Sequence, residues 1–340
     1  MNNSYLIDLY SPKEFNGKGK YVASSKARND VTCIMNELGI KRIPIVRSTE
    51  HKIWGVLQVI LKVWWCLLKL PRTATVYVQY PMINITAFVR IAPLFKRFHS
   101  VALVHDVRTY CQEFLIQHNS KEIKALNCFE TVIVHSEAMK AQLYKDGVHS
   151  KMVVLGAFDY LLPQSMQIQK QKNSIVFAGA LQKSAFLEDL HIVPSSNINF
   201  HLYGAVKPEI EYTEHIQYMG KFAPDDVSSI VGDWGLLWDG NSIDSCGGNF
   251  GEYLKIIAPH KFSLYLASGL KIICWEHSAM ASLVKERKLG IIIKNLSEIA
   301  DKLSSLTDED RAIIEKNVTQ MSNRIRTGEM CRNAISQIVS

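Results

Sequence analysis

Short apolar, β-branched runs recur at residues 5–9, 43–46, 75–80, 101–104 and 131–135, and again at 175–178, 198–203, 235–238, 272–275 and 291–293. Runs that stay apolar over four to six residues suit strands buried on both faces of a parallel sheet. Helical patterns lie between most of them, and this alternation predicts parallel sheets covered by helices. The first series gives way to the second across Leu162-Pro163-Gln164 and a Gln/Lys-rich stretch ending at Asn173, which reads as an interdomain linker. The pattern predicts an α/β protein of two domains, over 1–162 and 173–320, joined by a linker at 163–172 and followed by a helix at 321–340.

One helical segment stands apart. Residues 53–70, IWGVLQVILKVWWCLLKL, have Gln58, Lys62 and Lys69 as their polar positions. Spacings of four and seven place these three on one face, leaving a broad apolar remainder. The length is near the lower limit for a membrane span, and two lysines make a span costly. The favoured expectation is a helix packed on the first sheet. The alternative is a helix lying in a membrane interface, with Trp54, Trp64 and Trp65 at the headgroups.

Composition is that of a globular protein: 340 residues, 47% hydrophobic and 21% charged. Seven cysteines, an odd number without a CxxC pair, suit reduced thiols in a cytoplasm better than a disulfide framework. The first twenty residues lack a basic start followed by an apolar core, so no signal peptide is expected. Charge is uneven. Residues 1–160 hold 21 Lys and Arg against 12 Asp and Glu, whereas 161–340 hold 18 against 20. A basic first half points to an anionic partner surface. Nucleic acid is not expected, because neither zinc-finger spacing nor an RNP-type aromatic motif is present. A membrane face or a phosphorylated acceptor fits better.

Three places carry candidate chemistry. The run at 235–238 leads into Asp239-Gly240, then a loop with Gly247, Gly248 and Gly251, and then Lys255. Loops at the carboxyl ends of parallel strands bind ligands, and glycines let backbone approach them closely. A helix opened by Gly251 would offer free N–H groups to a phosphate, with Lys255 one turn inside it. Next, Pro259 and Gly269 bracket a short helix with His260 and Lys261 in its first turn. Cations there oppose the helix dipole, a conflict that a bound diphosphate would relieve. Finally, the run at 101–104 ends in His105-Asp106-Val107-Arg108. His105 or Asp106 could serve as a base on an acceptor hydroxyl and Arg108 could hold an anionic group; His135, ending the next run, is a second candidate base.

Other patterns are absent or weak. Gly17-Lys18-Gly19-Lys20 is neither GxGxxG nor GxxxxGK[ST], which argues against a dinucleotide dehydrogenase and a P-loop NTPase. Asp308-Glu309-Asp310 is formally DxD but follows Thr307 at an expected helix start, and reads as a cap. No metal site or other cofactor is expected.

The stretch WDGNSIDSCGGNFGEYLK (238–255) followed by APHKFSLYLASGL (258–270) resembles the C-terminal signature of a bacterial transferase family. The family includes β-1,6-galactofuranosyltransferases of polysaccharide synthesis and glucosyltransferases that modify adhesins. LVHDVR (103–108), VIVHSEAMKAQL (132–143), LGAFDYL (155–161) and RIRTG (324–328) extend the resemblance over nearly the whole chain, in order. It implies the GT-B fold, with two Rossmann-like domains facing across a cleft and the C-terminal helix returning to the first. The activity it implies is transfer of a hexosyl group, galactofuranose or glucose, from a UDP-sugar to a saccharide acceptor, lipid-linked or not, without a metal. By position it places Lys183, Tyr218, Asp239, Gly240, Lys255, His260 and Lys261 around the donor. Asn16, Gly17, Lys26 and Arg28 join His105, Asp106 and Arg108 on the acceptor side. Three positions depart from the pattern: Ala180 stands where the family favours Asn, Lys271 where Pro is common, and Leu264 where many GT-B enzymes carry a ribose-binding Glu. Peripheral membrane contact and a homo-oligomer stay open, as does a nucleotide-sugar-binding protein or epimerase on the same scaffold.

Overall fold

The computed structural model describes residues 3–10, 23–46, 52–111, 119–195 and 197–339. The chain forms two compact units, Met1–Gly156 with Met330–Ser340, and Ala157–Glu329.

The first unit contains β1 (Ser4–Tyr10), α1 (Ala23–Glu37), β2 (Lys41–Val46), α2 (Lys52–Lys69), β3 (Thr75–Tyr80), α3 (Ile85–Ile91), β4 (His99–Val104), α4 (Arg108–Cys111), α5 (Asn119–Leu126), β5 (Thr131–Val134), α6 (Glu137–Lys145) and β6 (Lys151–Val154). Its six parallel strands run in the order β2-β1-β3-β4-β5-β6. β3, β4 and β5 are buried almost end to end, as their unbroken apolar runs require. Phe88, Phe95 and Phe129 pack at centroid distances of 4.9–6.3 Å beneath α3 and extend the core. Helix α2 packs with β2 and α3, burying Val59, Val63 and Leu67. Among the described residues, no helix is long and apolar enough to cross a membrane.

The second unit contains β7 (Ser174–Ala178), β8 (Asn199–Tyr203), β9 (Ile216–Gly220), β10 (Trp234–Leu237), α7 (Gly248–Leu254), α8 (His260–Ala267), β11 (Lys271–Trp275), α9 (Ala281–Glu286), β12 (Gly290–Ile293), α10 (Ile299–Ser304) and α11 (Asp308–Arg326). Its parallel order is β12-β11-β10-β7-β8-β9. The final helix, α12 (Glu329–Val339), carries the chain back into the first unit. There Arg332 pairs with Glu37, and Lys151 Nζ donates to the Gln337 carbonyl at 3.3 Å.

Two strands, β6 and β9, lie outside the predicted runs, and both are sheet edges. One side of an edge strand is unpaired and half-solvated, so β9 (IQYMG) carries polar residues that dilute the apolar signal. The predicted linker at 163–172 instead belongs to the second unit. Gln169 exchanges backbone hydrogen bonds with Ile230 and Gly232. The buried guanidinium of Arg326, at the end of α11, donates to the carbonyls of Pro163, Gln164, Met166 and Ala267 at 2.7–3.4 Å. Low apolar content hid a segment held by its backbone rather than by its side chains.

A strand interior disfavours glycine unless something must come close. At Gly235, in β10, an added Cβ would lie 2.3 Å from the Tyr265 ring of α8. That ring is fixed by its hydroxyl, which accepts from the Ala178 N–H at 3.0 Å. Helix α8 is thereby seated flat on the sheet. Gly235→Ala should lower the unfolding free energy by about 1–3 kcal/mol through overpacking, read as a lower urea midpoint at unchanged slope. An unchanged midpoint would mean the ring moves aside freely.

Candidate functional site

In an open parallel sheet, ligands bind where neighbouring strands send their connections in opposite directions. In the second sheet that point lies between β7 and β10. The loops leaving these strands carry Gly179–Lys183 and Trp238–Gly247. They touch: the Phe186 N–H approaches the Gly240 carbonyl at 3.5 Å, and Phe186 packs on Phe177 and Trp238. Gly240 has φ of +110°, and a Cβ there would meet the Gly247 carbonyl at 2.4 Å. The turn after Asp239 therefore requires glycine.

Lys261 reaches into this turn from the first turn of α8. Its ammonium donates to the Trp238 carbonyl and to Asp239 Oδ2, each at 3.1 Å, and lies 4.6 Å from the Phe177 ring centroid. Its side chain is 15% exposed and that of Asp239 is 25% exposed. The dipole conflict expected from a lysine at a helix start is thus met by a carboxylate of the protein itself. Three contacts fix one positive charge at the carboxyl end of β10. Lys183 is exposed and lies 5.9 Å from the ring of Phe250 in α7. His260 packs against Tyr160 and Phe158, at 4.9 and 6.2 Å between rings.

Two expectations change. Gly251 does not open α7; the helix begins at Gly248, capped by Gly247. Gly251 sits inside it because a Cβ would lie 1.8 Å from the Cys246 carbonyl. Lys255 therefore caps the C-terminal end, where the dipole favours a cation, and forms a two-pronged pair with Glu252 at 2.7 and 2.8 Å. Its charge is largely spent locally. Tyr218 stands on the edge strand β9, 39% exposed, with its hydroxyl donating to the Gly204 carbonyl at 3.0 Å. Its ring packs edge-on against Tyr212, 6.0 Å between centroids.

In the first unit, the reversal lies between β1 and β3, and a buried polar chain crosses it. Arg42 Nε and Thr32 Oγ1 donate to Asp8 Oδ2 at 3.1 and 3.0 Å. Gln79 Nε2 donates to Thr32 Oγ1 at 2.9 Å and to the Arg28 carbonyl at 3.2 Å. With both amide hydrogens engaged, Gln79 Oε1 accepts from His105 Nε2 at 2.7 Å. The Nε2 proton is thereby assigned, so a His105 base would work through Nδ1. Asp106 and Arg108 are exposed beside it, and α4 is anchored by buried Glu122, which accepts from the Thr109 N–H at 2.8 Å and the Tyr80 hydroxyl at 2.7 Å. Burial, reinforced by this carboxylate, pushes the Tyr80 hydroxyl pKa upward.

Lys26 and Arg28 lie in α1. Lys26 is buried in an ion pair with Asp30 at 2.6 Å, and Arg28 donates to the Gln79 and Pro81 carbonyls at 3.2 and 2.7 Å. Asn16 and Gly17 lie outside the described residues. Asp8 and Gln79 escaped the sequence reading, although a lone polar residue in a run expected to be buried is itself a signal, since it must be hydrogen-bonded. Glu122 gave no local signal. Thr307 and Asp310 form a capping box at the start of α11. Among the described residues, no group of three or more His, Cys, Asp or Glu could hold a metal.

His135 is a structural pin rather than a base facing solvent. It is buried, its Nε2 donates to the Val104 carbonyl at 3.0 Å, and burial pushes its pKa down to about 4. A folded pKa below the unfolded value of about 6.5 means the unfolded chain binds the proton first. Stability due to His135 is present above that value and lost as pH falls toward about 4. His135→Gln should flatten the acid limb of the stability–pH curve in this window, measured by thermal unfolding; an unchanged limb would show that His135 is solvated.

Two family models match the chain: the N-terminal domain of glucosyltransferase 3-like proteins over residues 10–157, and their C-terminal domain over 175–338. The β-1,6-galactofuranosyltransferase WbbI of Escherichia coli (strain K12) is 26% identical over 329 residues, spanning 93% of this chain and 94% of that protein. Glucosyltransferase 3 of Streptococcus parasanguinis is 24% identical over 70% of this chain and 69% of its own length. Among solved structures, Anabaena HepE in complex with UDP and glucose superposes with a TM-score of 0.61 at 12% identity, covering 99% of both chains. The strand order of the two units and this likeness are those of the GT-B fold. The chain belongs to the glucosyltransferase 3-like family of glycosyltransferases.

Proposed function

We propose that this glycosyltransferase moves a hexosyl group from a UDP-sugar to a hydroxyl of a saccharide acceptor, without a metal, in cell-surface polysaccharide or glycoprotein synthesis. The observation that carries the reading is the fixed ammonium of Lys261 at the reversal point of the second sheet, in a turn where Gly240 lets the Gly247 carbonyl pack closely. Charge develops on the departing diphosphate during transfer. A preorganised cation stabilises that charge without reorganising. Lys183 supplies a second, solvent-facing cation on the adjoining loop. Asp239, besides holding Lys261, offers acceptor oxygens to a sugar or ribose hydroxyl.

The donor class is supported by HepE, whose complexes contain UDP, UDP with glucose, and UDP-glucose. Galactofuranose is favoured as the sugar, because WbbI aligns over nearly its full length; glucose follows from the streptococcal relatives. The acceptor is assigned to the first unit, with Asp106 or His105 as base if the reaction inverts configuration.

The pairing pattern ranks the lysines. Lys261→Ala removes a charge-assisted contact worth about 1.5–3 kcal/mol, so calorimetric UDP affinity with chelator present should fall roughly 10- to 100-fold. Lys255→Ala, which removes a cation already paired with Glu252, should cost less than about 1 kcal/mol. Equal losses for both, or a requirement for divalent metal, would overturn the assignment.

A further inference from the structure

Helix α2 buries one stripe, centred on Val59, Val63 and Leu67, and turns another apolar stripe to solvent. Six of the eleven large hydrophobic side chains exposed among the described residues lie on it: Trp54, Leu57, Leu61, Trp64, Trp65 and Leu68. At about 100° per residue they share an arc roughly 100° wide, opposite the buried stripe. Gln58, Lys62 and Lys69 border that arc on one side. Lys62 Nζ donates to the Val46 carbonyl at 3.2 Å, and Lys69 lies 4.6 Å from the Trp65 ring centroid. Neither lysine interrupts the apolar arc. A contiguous apolar face rimmed by polar groups marks an interaction surface.

Charge identifies the partner. Residues 51–105, from α2 through β4, contain seven Lys and Arg and no Asp or Glu. Of these, Lys62, Lys69, Arg72, Arg90, Lys96 and Arg97 are exposed. Pairing the face with a second copy of itself would bring these cations against their like. Among the described residues, no helix is long and apolar enough to span a bilayer. An apolar face bearing tryptophans, with lysines beside it, in a 51–105 stretch without Asp or Glu, suits the headgroup boundary of an anionic bilayer.

We propose that α2 docks the protein in the plane of an anionic lipid surface through Trp54, Leu57, Leu61, Trp64, Trp65 and Leu68, with Lys62 and Lys69 at the phosphates. The remaining tryptophans, Trp234, Trp238 and Trp275, are buried in the second unit. Quenching by lipid therefore reports on α2. The full chain is mixed with phosphatidylcholine vesicles containing or lacking phosphatidylglycerol, and with lipids brominated along the acyl chain. Binding should be at least tenfold tighter to the anionic vesicles, with blue-shifted, bromine-quenched tryptophan emission. W54Q/L61Q/W65Q alters outward-facing positions only and should lose binding at least tenfold while keeping wild-type thermal unfolding and UDP affinity. Three results would overturn the proposal: no vesicle binding by the wild type, bound wild type with unquenched tryptophan, or a soluble wild-type dimer that the triple variant turns into a monomer.

Discussion

A parallel sheet must reverse its strand order somewhere, and at the reversal two neighbouring strands send their connections apart. The second unit meets this constraint between β7 and β10. Side chains and backbone groups at those strand ends cannot be covered by a shared crossover, so they remain available. Gly204, Gly240 and Gly251 let the surrounding loops fold back closely: an added Cβ at each would strike the carbonyls of Gly179, Gly247 and Cys246 respectively. Lys261 owes its position to the same geometry. It lies in the first turn of α8, and α8 is seated on β10 because Gly235 makes room for Tyr265.

Electrostatics then separates two lysines that look alike in the chain. Lys261 is held by a carbonyl, a carboxylate and an aromatic face in a partly desolvated turn, where a charge acts strongly. Lys255 ends a helix and faces Glu252, with its side chain 41% exposed. The first arrangement is costly to build and suits recognition of a developing anion; the second is an ordinary surface pair. In the first unit, the chain from Asp8 through Thr32 and Gln79 to His105 follows the same logic. Each buried polar group is satisfied by the next, and the series ends at a side chain on the strand-end loop.

Much of the fold was legible because buried parallel strands write themselves as apolar runs. β3, β4, β5, β7, β10 and β11 are central, and each was visible. β6 and β9 were not, since an edge strand needs only one apolar face. The 163–172 segment was misread because its order comes from Arg326, far away in sequence, binding its carbonyls. Candidate residues were legible as a neighbourhood: strand-end positions such as Asp239 and His105 follow from periodicity alone. Their partnerships were not, because helix phase decides them. A shift of three residues in the start of α7 moved Lys255 from a helix's positive end to its negative end.

The proposed nucleoside-diphosphate donor would bind at the reversal point of the second sheet. Hydrogen exchange of the full chain with and without UDP tests it most directly. The account predicts slower exchange in peptides covering 179–186, 238–247 and 259–262, with little change around β9 or in α2. Protection confined to the first unit, or absent from all three segments at saturating UDP, would contradict it.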